Sequence, residues 1–366
     1  MEVLFRTDAS LDIGTGHVMR CLTLAEAMRD QGANCRFTCR SHRGNLIREI
    51  RQRGFDVFEL PYDCNWKGTE STQFAHTDWL GADWEMDAEQ TKVGACEKAI
   101  DWLIVDHYGL DARWERALGP YCRKLMVIDD LADRPHACNL LLDQSFTRDA
   151  ADYLSFVPND CHLMCGLQYA LLRPEFAALR SYSLQRRARP IALREILITM
   201  GGVDKDNVTG QALKALRTCA LPKDCRITVV MGPTAPWLDE IRSQVQDIPW
   251  PTRVLVGVGN MAQLMADSDL AIGAAGTTSL ERCCLGLPTI MFVLAENQRK
   301  TARALARSGG VKLIELGQNA ETQFREELLQ LVDDPVQLLQ MSNFAANVVN
   351  GSGVIRLIRK LEIVGE

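Results

Sequence analysis

Short apolar runs alternate with stretches of helical period along almost the whole chain, the pattern of parallel strands covered by helices on both faces. In the first half, residues 3–6, 35–39, 57–60, 102–105, 125–128 and 140–142 predict strands. Between the first two, residues 18–28 place Met19, Leu22, Leu24 and Ala25 at helical spacing. The periodicity weakens over 63–92, rich in Trp, Thr, Gly and acids, which reads as a surface excursion before a helix near Ala95. A second series of strands, 196–199, 227–230, 254–256, 270–272, 289–293 and 312–314, then restarts the winding. The expected fold class is α/β, with two Rossmann-like, doubly wound parallel-sheet domains. Their expected extents are 1–185 and 190–345, and the polar, basic stretch 181–190 that ends in Pro190 reads either as the link between them or as a solvated helix end continuing from Pro174. The amphipathic tail predicts a C-terminal helix over 346–366 that packs back on the first domain.

Composition narrows the function. The 366 residues carry 41 Lys and Arg against 47 Asp and Glu, a formal charge of −6, which argues against a basic nucleic-acid binder. Hydrophobic content of 47% and charged content of 24% are ordinary globular values. The N-terminus, Met1-Glu-Val-Leu-Phe-Arg-Thr-Asp8, lacks the apolar core of a secretory signal, and no apolar run approaches the ~18 residues of a membrane span. A cytoplasmic protein without membrane insertion is expected, with a monomer favoured. Thirteen cysteines, an odd number without paired spacing, fit reduced thiols better than a disulfide framework. Cys161-His162-x-x-Cys165 is the nearest approach to a ligand set, but no second pair accompanies it, so no metal and no cofactor are expected.

Ligands of open α/β sheets bind beyond the carboxyl ends of the strands, which directs attention to the strand ends and to a cleft between the two domains. After the first strand comes Arg6-Thr-Asp8-Ala-Ser-Leu-Asp-Ile-Gly14-Thr-Gly16-His17-Val-Met-Arg20. A dinucleotide fingerprint fails here, because Met19 holds the third glycine position and the second strand ends without an acidic ribose ligand. A P-loop fails for want of Gly-Lys-Ser/Thr. What remains is a turn that sets His17 at a helix N-terminus, where the dipole disfavours a cation and leaves an imidazole able to accept a proton. Asp8 is placed either to oppose this or to orient the ring. Read alone, His17 is as much a structural residue as a catalytic one.

Asp106-His107-Tyr108 follows another strand. The pair Asp106-His107 has the chemistry of an acid/base dyad, although a turn cap over a packed His107 is the simpler reading and Tyr108 the better substrate contact. Asp129-Asp130 reads as a turn cap. In the second half, Gly201-Gly202 permits close backbone approach, and Asp204-x-Asp206 is either a metal-binding pair or a helix start. Gly273-Ala-Ala-Gly276-Thr277-Thr278-Ser279-Leu-Glu281 combines bare N–H groups, hydroxyls and a carboxylate one turn on. That set can hold a diphosphate and a ribose, or simply cap a helix. Asn297-Gln298 follows the next strand and can address sugar hydroxyls and amides.

Taken together, Arg6-x-Asp8, Ile13-Gly14-x-Gly16-His17-Val-Met-Arg20, Asp106-His-Tyr108, Asp129-Asp130, Gly201-Gly-x-Asp204, Gly273 through Glu281 and Asn297-Gln298 resemble the UDP-2,4-diacetamido-2,4,6-trideoxy-β-L-altropyranose hydrolases of pseudaminic acid biosynthesis. The resemblance runs over about residues 1–310. It implies a GT-B-like fold, similar to that of the peptidoglycan GlcNAc transferase, and release of UDP by water without a metal. His17 becomes the general base, the amides of 277–279 the diphosphate cradle and Glu281 the ribose ligand. Asp8, Gly14, Gly16, Arg20, Tyr108, Arg173, Gly201, Gly202, Gly276, Asn297 and Gln298 become candidate substrate contacts. The stretch 63–92, with Trp79-Leu-Gly81 and Asp87-Ala88, departs from compact members and reads either as a rim of the site or as surface decoration. The rivals are a glycosyltransferase on the same fold, an epimerase and a non-catalytic sugar-nucleotide sensor.

Overall fold

The computed structural model describes residues 1–63, 66, 68, 76–95, 99–146, 148–233, 235–276 and 278–365, and of Asn297 the backbone only. The chain forms two compact units, Met1–Leu171 with Ser352–Glu366, and Leu172–Gly351. Among the described residues no helix is long and apolar enough to cross a membrane.

The first unit is built on seven strands: β1 (Glu2–Thr7), β2 (Asn34–Arg40), β3 (Asp56–Leu60), β4 (Ile100–Asp106), β5 (Cys122–Ile128), β6 (Leu140–Asp143) and β7 (His162–Cys165). They pair in the order β3-β2-β1-β4-β5-β6-β7, all parallel. Such strands are buried on both faces and so read as near-continuous apolar runs. β7 has no such run; it is a short edge strand with only Met164 buried, which is why periodicity misses it. Phe5 and Phe37 stack at 4.9 Å between ring centres on one face of the sheet. The C-terminal helix Gly353–Gly365 closes that face with Leu357 and Leu361, both fully buried. Burying each stabilises the docked helix by about 1.5–3 kcal/mol.

The second unit carries β8 (Glu195–Thr199), β9 (Arg226–Met231), β10 (Thr252–Val256), β11 (Leu270–Ala274), β12 (Thr289–Val293) and β13 (Val311–Glu315), in the order β10-β9-β8-β11-β12-β13, again parallel. Ile196, Ile198, Val229, Ile272 and Ile290 form its core with Phe324 and Leu328 of the helix Ala320–Asp333.

Two expectations from the sequence need correction. Of the two readings of 181–190, the link fails and the helix end holds, although that helix end is not solvated throughout. Most of the stretch belongs to the helix Pro174–Arg186 of the second unit, and the units divide at Leu171–Leu172. Its charge misleads because Arg187 is buried, spending its guanidinium on the carbonyls of Met265 and Ala266 at 3.0 and 3.2 Å and of Ser268, beside the end of the helix Met261–Asp267. Arg186 pairs with Asp269 at 2.6 Å.

Nor is the later part of 63–92 a surface excursion. The helix Trp84–Ala95 buries Asp87 completely. Its carboxylate accepts Arg6 Nη2 and Arg40 Nη2, both at 2.6 Å, Arg6 Nε at 3.1 Å and the Trp114 indole N–H at 2.9 Å. An acid on a helix reads as solvated until the cations that meet it from β1 and β2 are known.

Candidate functional site

In the first unit the sheet reverses its winding between β1 and β4, where Thr7 lies opposite Asp106. Connections leave these two strands in opposite directions, and the loops beyond them part to form a crevice. The loop after β1 is held by Ser10, whose hydroxyl accepts the amides of Asp12 and Ile13 at 3.1 and 2.9 Å and whose carbonyl accepts that of Gly14 at 2.9 Å. Gly14 turns at φ +80°, a conformation that favours glycine. The helix Gly16–Asp30 then starts, with His17 as its second residue.

His17 is 7% exposed, and its Nδ1 lies 2.6 Å from Asp106 Oδ1. Beside a carboxylate Nδ1 is the donor, and in the neutral ring this leaves the lone pair on Nε2. Arg20, nearly one turn along the same helix, grips Asp106 with Nε to Oδ2 and Nη2 to Oδ1, both at 2.6 Å. Burial alone would raise the Asp106 pKa. The Arg20 charge, followed by His17, outweighs it and holds the group below the usual carboxylate range. Arg20 also reaches Asp130 at 3.2 Å, and Asp130 accepts the Tyr108 hydroxyl. Burial, then the Asp130 charge, pushes the Tyr108 phenol well above its ordinary pKa, so it stays protonated.

Asp8 does not orient His17. It is fully buried on the other side of the strand ends, where Oδ1 lies 2.7 Å from Arg6 Nη1 and accepts the Arg40 amide at 2.6 Å. Oδ2 faces His107 and His42 at 3.4 and 3.6 Å. That enclosure also argues against a substrate contact for Asp8. Asp106 and His107 are not a dyad with each other, because neighbours along a strand point to opposite faces. Asp106 turns to His17, while His107 accepts the Gly109 amide at 3.0 Å and faces Asp8. Asp129 accepts the amides of Leu131 and Ala132 at 3.2 and 2.9 Å, a turn cap. Asp130, which the sequence places in the same cap, instead joins the His17 cluster.

In the second unit the winding reverses between β8 and β11, with Thr199 opposite Gly273. Gly201, at φ +92°, and Gly202 follow β8, and Gly276 follows β11. A Cβ on any of them would meet no described atom within 4 Å, so the backbone is open to close approach. Asp204 is committed to helix capping, accepting the amides of Val208 and Thr209 at 2.8 and 2.9 Å. Among the described residues no three His, Cys, Asp or Glu side chains are grouped to hold a metal ion.

Thr277 lies outside the described residues, as does the side chain of Asn297. Thr278 opens the helix Thr278–Cys284 and is half-buried. Ser279 is buried, with Arg282 Nη2 donating to its hydroxyl at 3.2 Å. Gln298 accepts the Leu294 amide at 3.1 Å, so its carbonyl oxygen serves the strand end. Arg173 and Glu281, 108 residues apart, meet within this unit: Nε and Nη2 approach Glu281 Oε1 at 3.4 and 3.3 Å. Burial raises the Glu281 pKa, and Arg173 opposes the shift.

Gly273 has a packing role that its sequence context hides. Arg282 is buried with no described carboxylate against its guanidinium, donates Nη2 to the Ala274 carbonyl at 2.6 Å, and has its pKa lowered by burial to about 10. A Cβ on Gly273 would collide with Arg282 Nη1 and lie 2.8 Å from the Thr199 carbonyl. Gly273→Ala is therefore expected to destabilise the second unit by about 1–3 kcal/mol. Thermal melts of variant and wild type check this, and an unchanged midpoint would refute it.

Residues 196–352 match the family model described as the glycosyltransferase family 28 C-terminal domain. The chain is 28% identical over 310 residues, 84% of its length and 97% of the relative's, to the UDP-2,4-diacetamido-2,4,6-trideoxy-beta-L-altropyranose hydrolase of Campylobacter jejuni. It is 27% identical over 221 residues to the spore coat polysaccharide biosynthesis protein SpsG of Bacillus subtilis, covering 57% of this chain and 60% of that one. Among solved structures, MurG of Acinetobacter baumannii superposes with a TM-score of 0.70 at 14% identity, covering 99% of both chains. Each unit thus has the doubly wound parallel sheet of the GT-B fold.

Proposed function

We propose that this chain is a hydrolase that releases UDP from UDP-2,4-diacetamido-2,4,6-trideoxy-β-L-altropyranose by attack of water, without a metal, yielding the free sugar. The observation that carries the reading is His17, tied through Nδ1 to Asp106 at 2.6 Å, which in the neutral ring leaves Nε2 as the basic nitrogen. In the proposed step Nε2 takes a proton from water as its oxygen bonds to the anomeric carbon. The bond from that carbon to the β-phosphate oxygen breaks, UDP departs with the electron pair, and the configuration inverts. Asp106 keeps the imidazole in the useful tautomer and stabilises the imidazolium that forms. Charge on the departing diphosphate is met by the amides of residues 277–279, and the ribose hydroxyls by Glu281, which leaves its contact with Arg173 to take them. The likeness to the Campylobacter jejuni hydrolase supports the choice of sugar.

The match of residues 196–352 to a glycosyltransferase domain favours a second reading, in which His17 activates an acceptor hydroxyl rather than water. UDP release from the diacetamido trideoxy compound and from UDP-GlcNAc, measured in EDTA with the sugar followed by NMR, separates the two. Prompt appearance of a free reducing sugar from the first compound is the expected result. Tight UDP binding with no release until an acceptor is added would establish the transferase. Glu281→Ala is expected to raise KM about tenfold with little change in kcat, the mark of lost uniform binding. An unchanged KM would remove Glu281 from the nucleotide site.

A further inference from the structure

The His17 cluster has an aromatic side that the proposed chemistry does not use. The single-turn helix Thr77–Leu80 is anchored by the fully buried Leu80 and brings His76 and Trp79 onto Tyr108. The Trp79 and Tyr108 rings stack at 5.8 Å and 27°. His76 lies 4.3 Å from Trp79 and 5.5 Å from Tyr108, between ring centres. Tyr108 in turn meets the His17 ring edge-on at 4.5 Å, and Trp79 meets it at 6.4 Å. His76, Trp79 and Tyr108 are each only half-buried, unlike Leu80 beside them, so part of each residue is accessible next to the base.

The one hydroxyl of this cluster is already engaged. The Tyr108 hydroxyl donates to Asp130, and both Asp106 and Asp130 are held by Arg20. Burial lowers the pKa of His76, which favours its neutral ring at pH 7. What the cluster offers a ligand is chiefly a wall of ring faces, with the His76 ring nitrogens and the Trp79 indole N–H at its edge. Ring faces pack better against C–H and methyl groups than against hydroxyls, which give up hydration there. A hexose with a 6-methyl group in place of a hydroxymethyl, and with acetamido methyls, presents that kind of surface.

Resting on the hydrolase reading above, we infer that Trp79, with His76 and Tyr108, packs against the methyl-bearing face of the sugar beside His17 and selects deoxy, N-acetylated sugars over hydroxylated ones. Trp79 is then a specificity residue, and its segment is part of the site rather than decoration.

The test compares wild type, Trp79→Ala and Trp79→Phe on the diacetamido trideoxy compound and on UDP-GlcNAc, with UDP affinity and melting temperature as controls. Trp79→Ala is expected to lower kcat/KM for the first compound by about 10–200-fold, the worth of a methyl-sized contact, and to affect UDP-GlcNAc much less. UDP affinity stays as in wild type, and Trp79→Phe recovers most of the loss. Equal losses on both compounds, or none on either, would overturn the inference. Should wild type bind the first compound without cleaving it, the hydrolase reading falls and saturation-transfer NMR decides the inference. Transfer to the sugar methyls that disappears in Trp79→Ala upholds it, and transfer confined to the uridine overturns it. No binding by wild type would overturn both.

Discussion

His17→Gln is expected to lower kcat by about 10²–10⁴-fold, the usual worth of a positioned general base, while leaving UDP affinity at the wild-type value. The separation follows from where the groups sit. His17 belongs to the first unit, and the proposed nucleotide contacts, the amides of 277–279 and Glu281, belong to the second. Glutamine is close to the imidazole in reach and can still donate to Asp106 through its amide. The buried carboxylate and the Arg20 fork that grips it at 2.6 Å are therefore preserved, and the loss reports the missing base rather than a collapsed cluster. Single-turnover UDP release with the diacetamido trideoxy compound, alongside calorimetric UDP binding, reads the two quantities. Near wild-type turnover in the variant would dismiss His17 as the base; a matching loss of UDP affinity would mean that the substitution disturbs more than the chemistry.

The largest expected effect on stability is at Asp87. Arg6 and Arg40 both point into its carboxylate, the side chains are almost wholly enclosed, and Asp8 reaches Arg6 through Nη1 alone. Asp87→Asn keeps the shape but removes the charge that balances two buried guanidinium groups. Breaking a buried pair from one side costs about 3–5 kcal/mol. For a unit of this size that is a fall of roughly 2–4 °C in melting temperature for each kcal/mol.

The same pair has a pH signature. Burial would raise the Asp87 pKa, but Arg6 and then Arg40 outweigh it and leave the folded value lowered. A lowered folded pKa adds stability that is complete above the unfolded value, about 3.9, and is lost as pH falls through the folded value. The gap between wild type and Asp87→Asn should accordingly be widest near neutral pH and shrink below about pH 4. Thermal melts at pH 7 and pH 3 check both statements. A gap independent of pH would show that packing, not charge, is what Asp87 contributes.

Local pattern carries much of the architecture. Apolar runs such as 102–105 and 270–272 fall inside β4 and β11, because strands buried on both faces need a continuous apolar surface that sequence alone reveals. The glycine turn before His17 and the open glycines at 201, 202 and 276 are legible for the same reason: each is set by its own neighbours. The errors lie where a residue's environment comes from elsewhere in the chain. Arg187 in the supposed linker and Asp87 in the supposed excursion look solvated by type, yet each is buried against partners on other elements. β7 shows the converse, an edge strand whose pairing with β6 substitutes for an apolar run of its own.

Local sequence marked every strand but β7, the turns at the strand ends and the histidine that opens the first helix. The pairing of β1 with β4 and of β8 with β11, which puts a reversal of winding at each site, emerges only when the chain is packed. That choice brings Asp106 to His17 across 89 residues and Arg173 to Glu281 across 108, draws Asp130 to Arg20, and leaves Asp8 to the other face. The physical reason is that hydrophobic period reports only whether a strand is buried. Every parallel strand offers the same ladder of backbone donors and acceptors, and which neighbour it takes is settled by packing of helices and charges far apart in the chain.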